Sequence, residues 1–249
     1  MKRVMLTVAY DGTNYHGWQL QPKVTTIESV LNEKLSELFK EEIKVIGASR
    51  TDTGVHAFGN IAVFDTNARM PAEKISYALN QKLPDDIKIQ ASREVPLDFH
   101  PRHQNSKKTY EYRILNREFS LPTQRLYSYF TYVPLDISLM QQAADYLIGE
   151  HDFKSFCSVN TVAETTIRTI YDIKIDKQGD MITIRVTGSG FLYNMVRIIA
   201  GTLMDAGKGK LEPSEIPLIL NALDRQKAGP TAPACGLTLV AYEYVDGIK

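Results

Sequence analysis

The stretch IKVIGASRTDTGVHAFGNIAVFDT, residues 43–66, contains two apolar runs joined by a glycine-rich loop. The runs, residues 43–48 and 59–66, are rich in the β-branched and aromatic residues that are common in strands. Helical spacing of apolar residues precedes the pair over 25–42 and follows it over 71–83. Two consecutive strands between two helices are typical of a split βαβ unit.

The flanking segments complete this unit. Residues 3–12 alternate between buried-type and exposed-type side chains and end at an Asp-Gly turn, and residues 86–95 have the composition of a strand. The first half is therefore predicted as strand, helix, strand, strand, helix, strand. Thr25 or Thr26 is predicted to cap the first helix, and Thr25 with Glu28 fits a capping box.

The second half repeats this order with longer insertions. Its predicted elements are a strand at 108–116, a helix at 138–149, a hairpin over 167–189 turning at 178–180, helices at 190–207 and 213–223, and a strand at 236–245. The predicted fold class is α+β: two ferredoxin-like, split βαβ halves, with mixed, largely antiparallel sheets flanked by helices and an active-site cleft between the halves. Loop composition at 98–106 places the domain boundary there, giving domains 1–103 and 104–249.

The composition is that of a globular protein without bulk charge. The 249 residues are 43% hydrophobic, and 29 basic residues balance 29 acidic ones. A neutral total neither indicates nor excludes nucleic acid, because a local basic patch can bind phosphate. Two cysteines favour a reducing compartment, and neither a signal peptide nor a membrane-spanning stretch is predicted, so a cytoplasmic protein is expected.

The loop between the central strands allows two interpretations of Asp52. Asp-Thr-Gly fits a turn in which the aspartate bonds its own backbone. Alternatively, the loop presents a carboxylate that acts as nucleophile or general base. Arg50 could then contact phosphate, and His56 could do the same or cap the loop.

The strand at 107–114 also has two interpretations. Lys108, Tyr110 and Tyr112 share one face, which resembles a base-stacking platform with phosphate contacts. An ordinary sheet explains the tyrosines equally well, since Tyr is common in strands.

The predicted helix at 190–207 carries Arg197 among apolar residues. A buried arginine is costly without an acidic partner, and Asp52, Asp205 or a glutamate could supply one. Gly188-Ser189-Gly190 before the helix could offer amides to an anion, or simply form a tight turn. His100 and His103 lack further ligands for zinc, and no metal site is predicted.

Seven segments together resemble the TruA family of tRNA pseudouridine synthases from end to end. They are YDGTNYHGWQLQP, GASRTDTGVHAFGNIAVF, KKTYEYRI, FKSFC, TIRTI, GSGFLYNMVRIIAGTL and GPTAPACGLTLVAYEY. The segment RTDTGVHA at residues 50–57 is the most specific. One departure is Pro101, where the family stretch Phe-His-Ala-Arg usually has alanine, and it makes Arg102 less secure as a contact.

This resemblance implies an isomerase that converts uridine to pseudouridine at positions 38, 39 and 40 of the tRNA anticodon stem-loop, without cofactor or metal. It implies that Asp52 is the essential aspartate, that Tyr110 stacks on the target uracil, and that Arg197 pairs with Asp52. It also implies a homodimer that binds tRNA.

Candidate RNA contacts are the basic residues near these segments: Arg50, His56, Arg102, Lys107, Lys108 and Arg168. Three steps remain open for Asp52, namely attack on uracil C6, attack on ribose C1′, or abstraction of the C2′ proton. A tRNA-binding protein or chaperone without chemistry, and an aspartate-dependent hydrolase or nuclease, are the alternatives. The hydrolase would require a second acid or a metal cluster, which the sequence does not offer near the loop.

Overall fold

A computed structural model describes residues 1–159 and 163–245, which form two compact units. The first unit contains residues 1–106 and the chain from residue 239, and the second contains 107–238. The predicted boundary at 103/104 lies close to this division. It differs in placing the last strand with the second half, whereas contacts group that strand from Leu239 onward with the first unit.

The strands of the described residues are β1 (Lys2–Tyr10), β2 (Ile46–Gly47), β3 (His56–Thr66), β4 (Ile87–Val95), β5 (Ser106–Asn116), β6 (Tyr129–Thr131), β7 (Gly149–Asp152), β8 (Ile167–Gln178), β9 (Met181–Gly188) and β10 (Leu237–Tyr244). The α-helices are α1 (Ile27–Phe39), α2 (Ala72–Asn80), α3 (Ile137–Asp145), α4 (Met195–Gly207) and α5 (Ile216–Ala222). Within residues 1–159 and 163–245, five single-turn 3₁₀ helices lie at Pro122–Gln124, Lys154–Phe156, Pro213–Glu215, Arg225–Lys227 and Ala234–Gly236.

In the first unit the strands lie in the order β4-β1-β3-β10, and the two-residue β2 also pairs with β3. β1 is antiparallel to both β3 and β4, so the first strand of the chain lies between them. The helices α1 and α2 each bury an apolar stripe. The predicted order strand, helix, strand, strand, helix, strand is confirmed for this unit.

The start of α1 differs from the predicted capping box. Thr26, not Thr25, is the N-cap, and its hydroxyl accepts the Ser29 N–H at 3.1 Å. The Ser29 hydroxyl oxygen in turn accepts the Thr26 N–H at 3.0 Å. Ser29 therefore occupies the third helical position of the capping box, for which the sequence predicted Glu28. The reason is that the N-cap is Thr26, one residue later than Thr25.

In the second unit the strands lie in the order β5-β9-β8-β7, with antiparallel neighbours, and β6 runs parallel to β5. The predicted hairpin is confirmed, since Gln178 pairs with Met181 and Gly179 has the positive φ of 58° that a two-residue turn requires. β6 and β7 were not predicted, because three or four residues are too few for a hydrophobic period to be recognised.

α4 begins at Met195 rather than at residue 190. Asn194 has a left-handed backbone, with φ 60° and ψ 7°, and this conformation ends the preceding loop. Tyr193 consequently lies outside the helix, whereas Arg197 lies within it.

The predicted mixture of helices with mostly antiparallel sheets is confirmed, and the cleft between the halves stays a prediction. Among residues 1–159 and 163–245, no helix is long and apolar enough to cross a membrane.

Candidate functional site

The loop between β2 and β3 contains a tight turn at Asp52. The Val55 N–H donates to the Asp52 carbonyl oxygen at 3.1 Å, and Gly54 at the third turn position has φ 77°. Glycine adopts this φ without the steric cost that other residues meet. The turn predicted from Asp-Thr-Gly is confirmed, and it leaves the half-buried Asp52 as its first residue.

The backbone of the segment after β1 packs directly against the backbone of this turn. A Cβ atom at Gly12 would lie 2.0 Å from the Val55 carbonyl oxygen, and one at Gly17 would lie 2.6 Å from the Thr51 carbonyl oxygen. The Trp18 N–H donates to that Thr51 oxygen at 3.0 Å. Glycines in the YDGTNYHGWQ segment therefore allow one loop to brace another.

Buried polar side chains fix the residues just before Asp52. The Asn60 side chain donates to the Ser49 carbonyl oxygen at 2.9 Å and accepts the Ser49 N–H at 3.2 Å. The Tyr10 and Thr51 hydroxyl oxygens are 2.7 Å apart. Neither Tyr10 nor Asn60 was predicted as part of the site, since alternation along a strand shows which side chains are buried but not which loop they reach.

His56 lies in the interior and is only 4% exposed. Its Nδ1 is 3.1 Å from both the Gly12 amide nitrogen and the Asp11 Oδ1. The histidine thus joins the start of β3 to the end of β1. Of the two predicted functions, this position favours capping the loop over binding RNA.

Two arginines place positive charge beside the loop. Arg50 is exposed, and Arg102 donates from Nε to the Gly47 carbonyl oxygen at 2.8 Å. Burial, and then the nearby charge of Arg50, lower the pKa of Arg102. The two guanidinium groups therefore form one basic patch, and a phosphate would relieve their repulsion.

Next to Arg102, the rings of His100 and His103 stack with centroids 3.8 Å apart. Burial lowers the pKa of His100, and the charges of His103, Arg102 and Arg3 lower it further. In the described part of the chain, no group of three or more His, Cys, Asp or Glu side chains is arranged to hold a metal ion.

In the second unit, Tyr110 points into the core of its sheet. The residue is 7% exposed and lies opposite Val186 in the β5–β9 pair, and its ring meets the Phe191 ring edge-to-face with centroids 5.3 Å apart. The predicted common face of β5 is confirmed for its two tyrosines, since Tyr110 and Tyr112 are both buried.

The three predicted RNA contacts of the second unit differ in their surroundings. Lys107 is exposed, with its Nζ 5.2 Å from the centre of the Tyr171 ring, and the half-buried Lys108 lies opposite Gly188. Arg168 donates from Nη1 to the carbonyl oxygens of Thr165 and Ile167. Burial lowers the pKa of Arg168.

Arg197 is held in the first turn of α4. Its Nε donates to the Ala232 carbonyl oxygen at 2.7 Å, and its Nη1 donates to Asn194 Oδ1 at 2.8 Å. The Ala232 N–H returns a bond to the Arg197 carbonyl oxygen at 3.1 Å. The segment before β10 therefore orients this guanidinium. The apolar pattern of the helix does not indicate that Ala232 is its partner.

A braced aspartate turn with adjacent arginines defines a site that can place a carboxylate beside a phosphate-bearing substrate. The family described as tRNA pseudouridine synthase matches residues 6–104 and 143–245, which include the whole of the turn. The chain belongs to this family.

Curated relatives match along almost the whole chain. A tRNA pseudouridine synthase A from Thermoanaerobacter sp. (strain X514) is 50% identical over 98% of this chain and 100% of its own length. One from Caldicellulosiruptor bescii is 47% identical with the same coverage. A tRNA pseudouridine synthase A 2 from Clostridium tetani is 49% identical over 96% of this chain and 97% of its own length.

One solved structure is a more distant match. A chain in "Structure of H/ACA RNP bound to a substrate RNA containing 2'-deoxyuridine" matches with a TM-score of 0.35 and 14% identity. The match covers 81% of this chain and 43% of that chain, so this protein spans less than half of the solved chain.

Proposed function

We propose that the protein is a tRNA pseudouridine synthase that isomerises uridine to pseudouridine at positions 38, 39 and 40 of the anticodon stem-loop. The observation that carries the proposal is the braced turn that presents Asp52 beside Arg50 and Arg102. Full-length identity of 47–50% to proteins named tRNA pseudouridine synthase A supports the same substrate class.

Asp52 is the catalytic group of this proposal. The bond between uracil N1 and ribose C1′ breaks, the uracil turns, and its C5 bonds C1′; C5 then loses its proton and N1 gains one, so that the product is an isomer. An ionised carboxylate can attack uracil C6 or ribose C1′, or remove the C2′ proton. A uridine in a stem must leave its stack before Asp52 can reach it, and the phosphate contacts hold the RNA while it does so.

The direct test is incubation of the purified protein with unmodified tRNA transcripts, followed by mapping of pseudouridine along the RNA. The proposal expects modification confined to positions 38 to 40. A protein that binds the transcript and leaves every uridine unchanged would support the alternative of a tRNA-binding protein without chemistry.

The basic patch predicts a steep salt dependence of tRNA binding. The logarithm of the binding constant should fall linearly with the logarithm of salt concentration, by roughly 0.7–0.9 per phosphate neutralised. Arg102→Ala should make this slope shallower by roughly 0.7–0.9, which is the contribution of one phosphate contact. Filter-binding or anisotropy titrations at several salt concentrations measure it.

Arg185→Ala is the matched control for loss of an arginine. Its guanidinium is 2.8 Å from Glu111 Oε2 on an exposed part of the second unit, so its charge is already paired. Arg185→Ala should leave the salt slope unchanged. An equal change of slope in both variants would show that Arg102 is not a specific contact.

Arg197 is proposed as the ion-pair partner of Asp52, and this pairing can be tested through the pH–rate profile. Loss of a neighbouring positive charge makes a carboxylate harder to ionise, so Arg197→Ala should move the acidic limb of the profile to higher pH. The same variant should lower stability by about 1–3 kcal/mol, since Ala232 and Asn194 lose a charged donor.

Arg197→Lys separates charge from geometry, because lysine keeps the charge but not the planar guanidinium. This variant should restore the acidic limb while remaining less stable than the parent. If Arg197→Ala loses stability with no shift of the limb, the residue is structural only.

Tyr110 is proposed to stack on the target uracil. Tyr110→Phe should keep most of the activity and Tyr110→Ala should not, because a base stacks on an aromatic face.

A homodimer is proposed as the form that binds tRNA. Sedimentation equilibrium of the protein would give the mass of the assembly, and twice the mass of one chain is the expected result.

A further inference from the structure

A cluster of buried polar side chains underlies the Asp52 turn. Tyr10, Ser49, Thr51 and Asn60 come from β1, the loop and β3, and each is at most 6% exposed. Buried polar groups cost free energy unless they are hydrogen-bonded, and apolar residues of similar size would have filled this space more cheaply. The Ser49 hydroxyl has no hydrogen-bond partner among residues 1–159 and 163–245. The side chains of Tyr10, Thr51 and Asn60, by contrast, are bonded to one another or to the loop, which indicates a task that depends on their polar atoms.

The contacts of the cluster converge on the residues before Asp52. Tyr10 Oη is 2.7 Å from Thr51 Oγ1, and the Tyr10 hydroxyl also interacts with the Asn60 side chain. Asn60 holds both backbone groups of Ser49. Thr51 is therefore fixed through its side chain by Tyr10 and through its carbonyl oxygen by Trp18.

Thr51 is the residue directly before Asp52, so rotation of its backbone would swing the carboxylate. Reacting groups must be held within a fraction of an ångström, and a displacement of about 1 Å can cost a hundredfold in rate. Burial raises the pKa of Tyr10 far above its ordinary value, so its hydroxyl stays protonated at working pH.

We propose that Tyr10 and Thr51 are positioning residues for the reaction, and that the bond between their hydroxyls holds Asp52 in its reactive orientation. This inference rests on the proposed function, because it assumes that Asp52 performs the chemistry. Neither residue touches the substrate in this scheme, and both act through the backbone of the turn.

The test compares variants that remove one hydroxyl with little change of shape. Tyr10→Phe should lower kcat by about 10- to 100-fold, while KM and the Kd for tRNA stay within about twofold of the parent. Thr51→Val should give the same loss, and Thr51→Ser, which keeps the hydroxyl, should retain most of the activity. The double variant Tyr10→Phe, Thr51→Val should be no slower than either single variant, since both remove the same bond.

Thr66→Val is the matched control for Thr51→Val, because Thr66 is a threonine of the same unit, 1% exposed, whose hydroxyl donates to Glu41 at 3.2 Å instead. It should lose stability without loss of kcat. All rates are compared at a temperature where circular dichroism shows each variant folded, and Thr51→Val carries the test if Tyr10→Phe does not fold.

Normal kcat in folded Tyr10→Phe or Thr51→Val, or a loss confined to KM, would overturn the inference. Independent effects that multiply in the double variant would overturn it too. Asp52→Ala, measured in parallel, separates the two proposals. If Asp52→Ala is inactive and Tyr10→Phe is normal, only the positioning fails, whereas activity in Asp52→Ala would contradict the proposed function itself.

Discussion

Asp52→Ala is expected to lower the rate of pseudouridine formation by at least about 10³-fold, because general-base or nucleophilic catalysis by a carboxylate contributes on this scale. Binding of tRNA should persist within a few-fold, since the affinity is proposed to come from phosphate contacts such as Arg50 and Arg102. Single-turnover assays with excess enzyme measure the chemical step, and anisotropy titrations measure the binding.

Asp52→Asn is the closest variant in shape, and it should be as inactive as Asp52→Ala. Asp180→Ala serves as the control for loss of an aspartate. Its carboxylate lies in the β8–β9 hairpin turn of the second unit, 3.4 Å from Arg117, and its removal should leave the rate unchanged. A near-normal rate of modification by Asp52→Asn would show that the reaction does not require the carboxylate.

Gly12→Ala is expected to have the largest effect on stability. Its Cβ would lie 2.0 Å from the Val55 carbonyl oxygen and 2.6 Å from the Val55 carbonyl carbon, which are backbone atoms and cannot move aside as a flexible side chain can. We expect a loss of about 3 kcal/mol in the free energy of unfolding, the upper part of the range for overpacking. Thermal and denaturant unfolding measure it.

The same substitution should also reduce activity below the melting temperature. Val55 closes the Asp52 turn, so displacing its carbonyl disturbs the turn that holds the carboxylate. Gly190→Ala is the control, because the nearest atoms to its added Cβ are those of Arg168 at 3.9 Å, an ordinary contact. It should change stability by less than about 0.5 kcal/mol. Equal stability of the two alanine variants would show that the Gly12 contact is not a constraint.

Much of the site could be predicted because its signals are local. Asp-Thr-Gly specifies a turn whose third position needs a positive φ, and Gly54 has it. Alternation along β5 correctly put Tyr110 and Tyr112 on one face, and the structure shows that this face is buried. The predicted start of α4 at residue 190 was five residues too early, because no hydrophobic period marks the left-handed backbone of Asn194.

The sequence by itself determined the order of the helices and of the strands other than the short β6 and β7, the hairpin at 178–180, the Asp52 turn and the family. These depend on neighbours within a few residues, or on a pattern of motifs along the chain. Only the tertiary structure decided that His56 is buried beside Gly12, that Arg102 reaches the Gly47 carbonyl, and that Ala232 anchors Arg197.

The same is true of the bond between Tyr10 and Thr51, which are 41 positions apart in the chain. Such contacts form between segments that only folding brings together, and they depend on the direction of individual side chains as well as on residue type. A tyrosine at the end of β1 satisfies the strand pattern whatever its hydroxyl meets, and the packing of the loop against that strand gives it Thr51 as its partner.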